Sequence, residues 1–164
     1  MLKAIKKLLG IKINQDCTSD GNDILWEDTT VFTFPVKGGR VIKVYDGDTI
    51  TIATKIPIKK SPIYRFSVRL NGIDTPEIKG HGVTEDEKKA AQEVQVFVSN
   101  LILNKYIRLE NITNEKYGRI LADVYIGNIH LNELLVKNRY AVVYNGGTKI
   151  KPSSWINYKT NGIL

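Results

Sequence analysis

Four carboxylates and two guanidiniums stand out by where they fall. Asp46 and Asp48 lie one residue apart in "VIKVYDGDTITI", inside an otherwise apolar, strand-like run. Asp74 and Glu77 follow in "NGIDTPE", where Pro76 restricts Thr75 to an extended conformation. An Asp-Gly turn uses one acid, Asp46. Asp48 is left over, because aspartate is disfavoured where a strand restarts. Carboxylates with no cysteine or histidine beside them are hard oxygen donors, suited to Ca²⁺ or Mg²⁺ and not to zinc. A backbone carbonyl in a constrained turn, such as that of Thr75, can complete such a shell. Arg69 lies within a predicted strand, an odd place for a permanent charge unless it points at an anion, and Arg119 begins another strand after "EKYG". Guanidinium forks grip phosphate oxygens bidentately, and two of them flanking one phosphodiester would neutralise a dianionic transition state. Each residue also has a plainer use, the aspartates as turn formers and the arginines as partners in salt bridges.

The elements that must position these groups are read from hydrophobic periodicity. "RVIKVYDGDTITIAT" predicts two strands around an Asp-Gly turn, and "IYRFSVRLNGI" a third. "YIRLEN" and "RILADVYI" predict the fourth and fifth, with a tight turn at Gly127-Asn128. If strands two and three are neighbours, Asp48 and Asp74 converge at one rim. Between strands three and four, "TEDEKKAAQEVQVFVSNLILN" opens with Thr84 and Glu87 in capping-box spacing and carries its apolar residues on one face, so it predicts a helix docked on the sheet. "NELLVKNR" predicts a second, shorter helix with Asn132 as its cap. Five short strands with packed helices suggest a small closed barrel rather than a sandwich.

At 164 residues the chain suffices for one domain with a real core, and 24 Lys+Arg against 17 Asp+Glu give a net charge of +7, which favours polyanionic partners. The single cysteine, Cys17, excludes an internal disulfide and a cysteine-based zinc site. No apolar run approaches a membrane span, and "MLKAIKKLLGIK" is charged throughout, without a signal-peptide core. An intracellular monomer is the expectation. Residues 1–37 read as an extension: a short basic amphipathic helix through Leu2, Ile5, Leu8 and Leu9, then a polar linker from Asn14 to Asp23. Residues 38–150 carry the predicted barrel, and 151–164 a short tail.

"DGDT", "RLNGIDTPE" and "EKYGR" resemble, in order and spacing, the signature of the staphylococcal-nuclease-like, or thermonuclease, family. The resemblance runs from about Arg40 to Thr148. It implies a mainly β, α+β fold, a five-stranded OB-type Greek-key barrel with helices packed on it. It also implies Ca²⁺-dependent hydrolysis of DNA and RNA with little base specificity, leaving 3′-phosphate ends. Asp48, Asp74 and the Thr75 carbonyl match the family's metal ligands, with Mg²⁺ or another divalent ion as an alternative to Ca²⁺. Glu77 matches the carboxylate that orients or deprotonates water, and Arg69 and Arg119 match the pair that grips the phosphate. Asp46 matches an outer-shell acid. Lys116, Tyr117 and Tyr144 fit substrate contacts.

Two departures qualify the match. Gly146 stands where the family has a second aromatic, and each base–aromatic contact is worth about 1–3 kcal/mol. The family's long C-terminal helix has no counterpart in "KPSSWINYKTNGIL", and Trp26, Phe32 and Phe34 are expected to cover the apolar surface it would leave. His81, in the glycine-flanked loop after Glu77, and His130 are given no catalytic role. The rival reading is a non-catalytic module of the same fold that binds single-stranded nucleic acid or a protein partner. It predicts loss of at least one of Asp48, Asp74, Glu77, Arg69 and Arg119, and all five are present.

Overall fold

Alternating β-branched residues from Gly38 onward fold as the periodicity predicts. The computed structural model describes residues 24–147 and 150–164, and the chain divides into two units between Phe32 and Thr33. The predicted N-terminal helix, the polar linker with Cys17, and Thr148 lie outside the described residues. In the smaller unit the described chain makes one 3₁₀ turn, Trp26–Asp28, in which the Asp28 carboxylate accepts from the Leu25 N–H at 2.9 Å. No helix among the described residues is long and apolar enough to cross a membrane.

In the larger unit β1 (Gly38–Val44), β2 (Thr49–Lys55) and β3 (Ile63–Leu70) form an antiparallel meander. β4 (Ile73–Asp74) follows, then helix α1 (Glu85–Ile102), then the long hairpin of β5 (Tyr106–Asn114) and β6 (Ile120–Ile126). β5 pairs with β1, and a parallel pairing of β3 with β6 closes the five strands into a barrel. β7 (Ile129–His130), α2 (Leu131–Lys137), β8 (Val142–Val143) and α3 (Trp155–Asn161) complete the unit. The architecture is the expected OB-like α+β barrel with three helices.

The inward face of each strand is aliphatic: Val41, Ile50, Ile52, Val68, Leu70 and Val124 have no exposed surface. Helix α1 lays Ala91, Val94, Val98 and Ile102 on the barrel. Each of the valines and the isoleucine contributes about 1.5–3 kcal/mol on burial, and this face holds the helix in place. Thr84 caps α1, its hydroxyl accepting the Glu87 N–H at 3.1 Å. Asn132 differs from its expected role as a helix cap. Helix α2 starts one residue earlier, and Asn132 is buried in its first turn. There its carbonyl accepts the Val124 N–H at 3.0 Å and its amide donates to the Asn71 carbonyl at 2.8 Å. Burial demanded partners for a polar side chain, and the interior of β6 and the residue after β3 supplied them.

Of the aromatics expected to cover apolar surface, Trp26 and Phe32 belong to the smaller unit and Phe34 to the larger, where its ring meets Phe66 edge-on at 5.8 Å. The C-terminal segment folds as α3, capped by the Ser154 hydroxyl on the Asn157 N–H and ended by Gly162 in the left-handed region. Trp155 is buried, and Ser154 and Lys159 bond Asp86 and Glu93 of α1.

Candidate active site

The β1–β2 turn brings its two acids to different places. Asp46 closes the turn, its carboxylate accepting the Asp48 N–H at 3.1 Å. Asp48 points the other way and is buried, with 3% of its surface exposed. Gly47 between them is required by close approach. A Cβ there would sit 2.5 Å from Val94 Cγ1 and 2.9 Å from Thr75 Cβ. Gly47→Ala is therefore expected to lower stability by about 1–3 kcal/mol, read as a shift in the urea midpoint. An unchanged midpoint would contradict the packing of this turn against α1.

Asp74 reaches the same place from β4, whose pairing with β8 sets Asp74 opposite Val142. It is 1% exposed, and Thr75 beside it is also buried. Arg69, near the end of β3 and paired with Thr49 across the sheet, joins the two acids. Its guanidinium lies 2.6 Å from Asp48 Oδ2 and 3.1 Å from Asp74 Oδ1, and it donates to the Ile73 carbonyl at 3.2 Å. The Thr49 hydroxyl donates to the second Asp48 oxygen at 2.9 Å.

One guanidinium between two buried aspartates leaves a net negative charge. Burial pushes the Asp48 carboxyl up to about 7, against the lowering by Arg69, and the Asp46 and Asp74 charges add to the rise. Burial also raises Asp46, with a contribution from the Glu77 charge. Arg69 is held protonated, since the charges of Asp48 and Asp74 outweigh its own burial.

The folded state thus binds the Asp48 proton more tightly than the unfolded chain, whose aspartates titrate at roughly 3.9. Stability from this group is present below that value and is lost as the pH rises towards 7. In chelator, the stability of the wild type relative to Asp48→Asn is expected to fall between pH 4 and 7. Parallel thermal-unfolding profiles for the two proteins would contradict it.

Glu77 follows Pro76 on the segment leaving Asp74. Its backbone N–H donates at 3.1 Å to the buried Glu87 carboxylate, which also receives Lys151 Nζ at 2.8 Å. Glu87 was expected to reach back to its own helix cap. It turns instead to the loop that carries Glu77, so the capping-box spacing marks a link between α1, this loop and the C-terminal segment. Glu77 and Asp46 line one cavity with Lys79 and Gln95.

Arg119 follows the β5–β6 turn, where Gly118 adopts a φ of +78°. The Glu115 carboxylate holds its Nε at 3.3 Å and also accepts the Tyr117 N–H at 2.9 Å. Arg119 lines a cavity with Asp46, Thr49, Thr51 and Ser67. Arg69 instead lines a 590 Å³ cleft with Asn71, Lys116, Tyr144 and Gly146. Tyr144 is anchored there by its N–H on the Gly72 carbonyl at 2.9 Å and its hydroxyl on the Gly147 carbonyl at 3.1 Å. Tyr117 is not among the residues lining that cleft; its exposed ring has Lys116 Nζ 4.9 Å from the centroid. His130 stacks on Tyr125 and pairs with Glu133, and His81 is exposed in its loop.

Two buried aspartates, a buried threonine and only oxygen donors fit a hard divalent cation, whose charge would offset the surplus negative charge around Arg69. Among the described residues no group of three or more acidic, histidine or cysteine side chains surrounds a metal-sized point. Such an ion would therefore draw further ligands from backbone, water or substrate.

The staphylococcal nuclease homologue family matches residues 67–155, more than half of the chain. The chain belongs to that family. The chain is 34% identical over 105 residues to a thermonuclease of Staphylococcus hyicus, covering 62% of this chain and 56% of that one. It is 36% identical over 105 residues to an uncharacterized endonuclease of Haemophilus influenzae, covering 64% and 51%. It is 31% identical over 135 residues to an uncharacterized protein of Methanocaldococcus jannaschii, covering 69% and 62%. The chain spans roughly half to three-fifths of the length of these relatives.

Proposed function

We propose that the chain is a metal-dependent nuclease that hydrolyses phosphodiesters of DNA and RNA with little base specificity, with Ca²⁺ as the resident ion and 3′-phosphate ends as products. The observation that carries this reading is Arg69 seated between the buried Asp48 and Asp74 while also lining the cleft of Lys116 and Tyr144. An arginine used only to pair two acids has no need of that cleft.

Asp48, Asp74 and the Thr75 carbonyl would hold the cation, with Asp46 keeping order in the turn beside it. When bound, the ion supplies charge neutralisation to the phosphoryl oxygens. Glu77 orients a water and accepts its proton as the oxygen–phosphorus bond forms. Arg69 grips the non-bridging oxygens, and Arg119 donates to the leaving oxygen as its bond to phosphorus breaks. Lys116 and Tyr144 hold the nucleotide in the cleft, and Tyr117 extends the surface at its edge. Little covalent chemistry is asked of the protein, so positioning and charge dominate.

The test is digestion of single- and double-stranded DNA and RNA with Ca²⁺, with Mg²⁺ and with chelator, followed by end-group analysis. Cleavage of all four polymers with Ca²⁺, and 3′-phosphate ends, is expected. Binding without cleavage under every condition would leave the non-catalytic module as the better reading.

A further inference from the structure

Tyr45 is an aromatic side chain left 57% exposed immediately before the Asp46–Asp48 turn. Its backbone is fixed at both polar groups. The N–H donates to the Thr49 carbonyl at 2.9 Å, and the carbonyl accepts Gln95 Nε2 of α1 at 2.7 Å. Lys43 Nζ lies 5.5 Å from the ring centroid. The ring thus stands as an exposed platform on a fixed stretch of backbone.

Two cavities open beside this platform, and both are lined by Lys43, Tyr45 and Asp46. One, of 430 Å³, continues to Glu77 and Lys79. The other, of 280 Å³, continues past the hydroxyls of Thr51 and Ser67 to Arg119. Neither shares a lining residue with the Tyr144 cleft. The central cluster therefore offers Glu77 and Arg119 towards Tyr45, and Arg69 with Lys116 towards Tyr144. A polynucleotide threaded through a cleavage centre must leave it on the side opposite to its arrival. A base presents a flat face that stacks on an aromatic ring, and its phosphates seek fixed positive charge.

We propose that Tyr45, Lys43 and Lys79 form a second nucleotide subsite, across the scissile phosphate from the Tyr144 cleft, that takes one nucleotide of a single strand. The base stacks on Tyr45, and the flanking phosphates meet the two lysines. The subsite rests on the nuclease reading above.

The test has a binding arm and a turnover arm. Fluorescence anisotropy of a labelled single-stranded octanucleotide, in chelator, compares the wild type with Tyr45→Ala, Tyr45→Phe and Lys43→Gln. Tyr45→Ala is expected to weaken binding roughly tenfold and Tyr45→Phe to retain it. Lys43→Gln should flatten the dependence of log affinity on log salt by about 0.7.

Turnover is measured on two nitrophenyl esters of thymidine, one with the nitrophenyl phosphate on the 5′ oxygen and one with it on the 3′ oxygen. Each places a nucleoside on only one side of the phosphorus. Tyr45→Ala should raise KM for one ester and spare the other, while Tyr144→Ala does the reverse. Unchanged octanucleotide affinity in Tyr45→Ala, or both variants raising KM for the same ester, would overturn the subsite. A wild type that cleaves neither ester nor polymer would instead defeat the nuclease reading, with the anisotropy still reporting on Tyr45.

Discussion

Arg119→Ala lowers the turnover of DNA and RNA by at least about a hundredfold, the cost of losing one preorganised transition-state donor. The geometry makes the residue hard to replace. The Glu115 carboxylate holds its Nε at 3.3 Å, which directs the remaining donors of the fork into the cavity shared with Asp46 and Thr49. The same carboxylate takes the Tyr117 N–H, so the turn and the guanidinium are set together. Lysine offers a point charge on a flexible stem and cannot reproduce the clamp, so Arg119→Lys should be impaired nearly as much. Because the residue acts on charge that develops during reaction, kcat should fall while the affinity for a nucleotide 3′,5′-bisphosphate changes little. Near-wild-type turnover in the alanine variant would refute the role assigned to it.

Glu77→Gln is expected to lower kcat by roughly a hundred- to ten-thousandfold, the usual contribution of a positioned general base. Glutamine keeps the shape and loses the proton acceptor. The loop is also tied to α1 by the Glu77 backbone N–H on Glu87, a bond that the substitution leaves in place. Isothermal titration with the bisphosphate in Ca²⁺ should therefore give an affinity close to the wild type. Loss of binding in parallel with loss of turnover would make Glu77 part of the ligand site rather than a base.

The strands, the long helix and the barrel class were legible because each depends on a short-range pattern. Alternation marks β1 to β3, and the Asp-Gly turn lies where the sequence puts it. The convergence of Asp48 and Asp74 followed from one assumption, that the second and third strands are neighbours, and β2 is paired with β3 along its whole length. What a linear reading missed were partners chosen by tertiary burial. The role of Gly47 is set by Val94, distant in sequence, and not by its own backbone. Glu87 has the spacing of a capping residue, yet its carboxylate serves the Glu77 loop and Lys151. Asn132 has the type of a helix cap, yet it ties the interior of β6 to the residue that follows β3. In each case a local signal was present, and a contact with a distant part of the chain overrode it. Tyr45 carried no signal at all, since an aromatic at a strand end reads as core until its exposure is known.

The proposed hydrolysis depends on a single acid pair that takes a cation beside a gripped phosphate. The most direct measurement is the initial rate of cleavage of a fluorogenic single-stranded oligonucleotide with Ca²⁺, after chelation and after resupply, for the wild type and for Asp48→Asn and Asp74→Asn. The wild type should cleave, stop on chelation and recover on resupply, while both variants stay inactive throughout despite folding. Cleavage that persists in chelator, or survives in either variant at the wild-type rate, would contradict it.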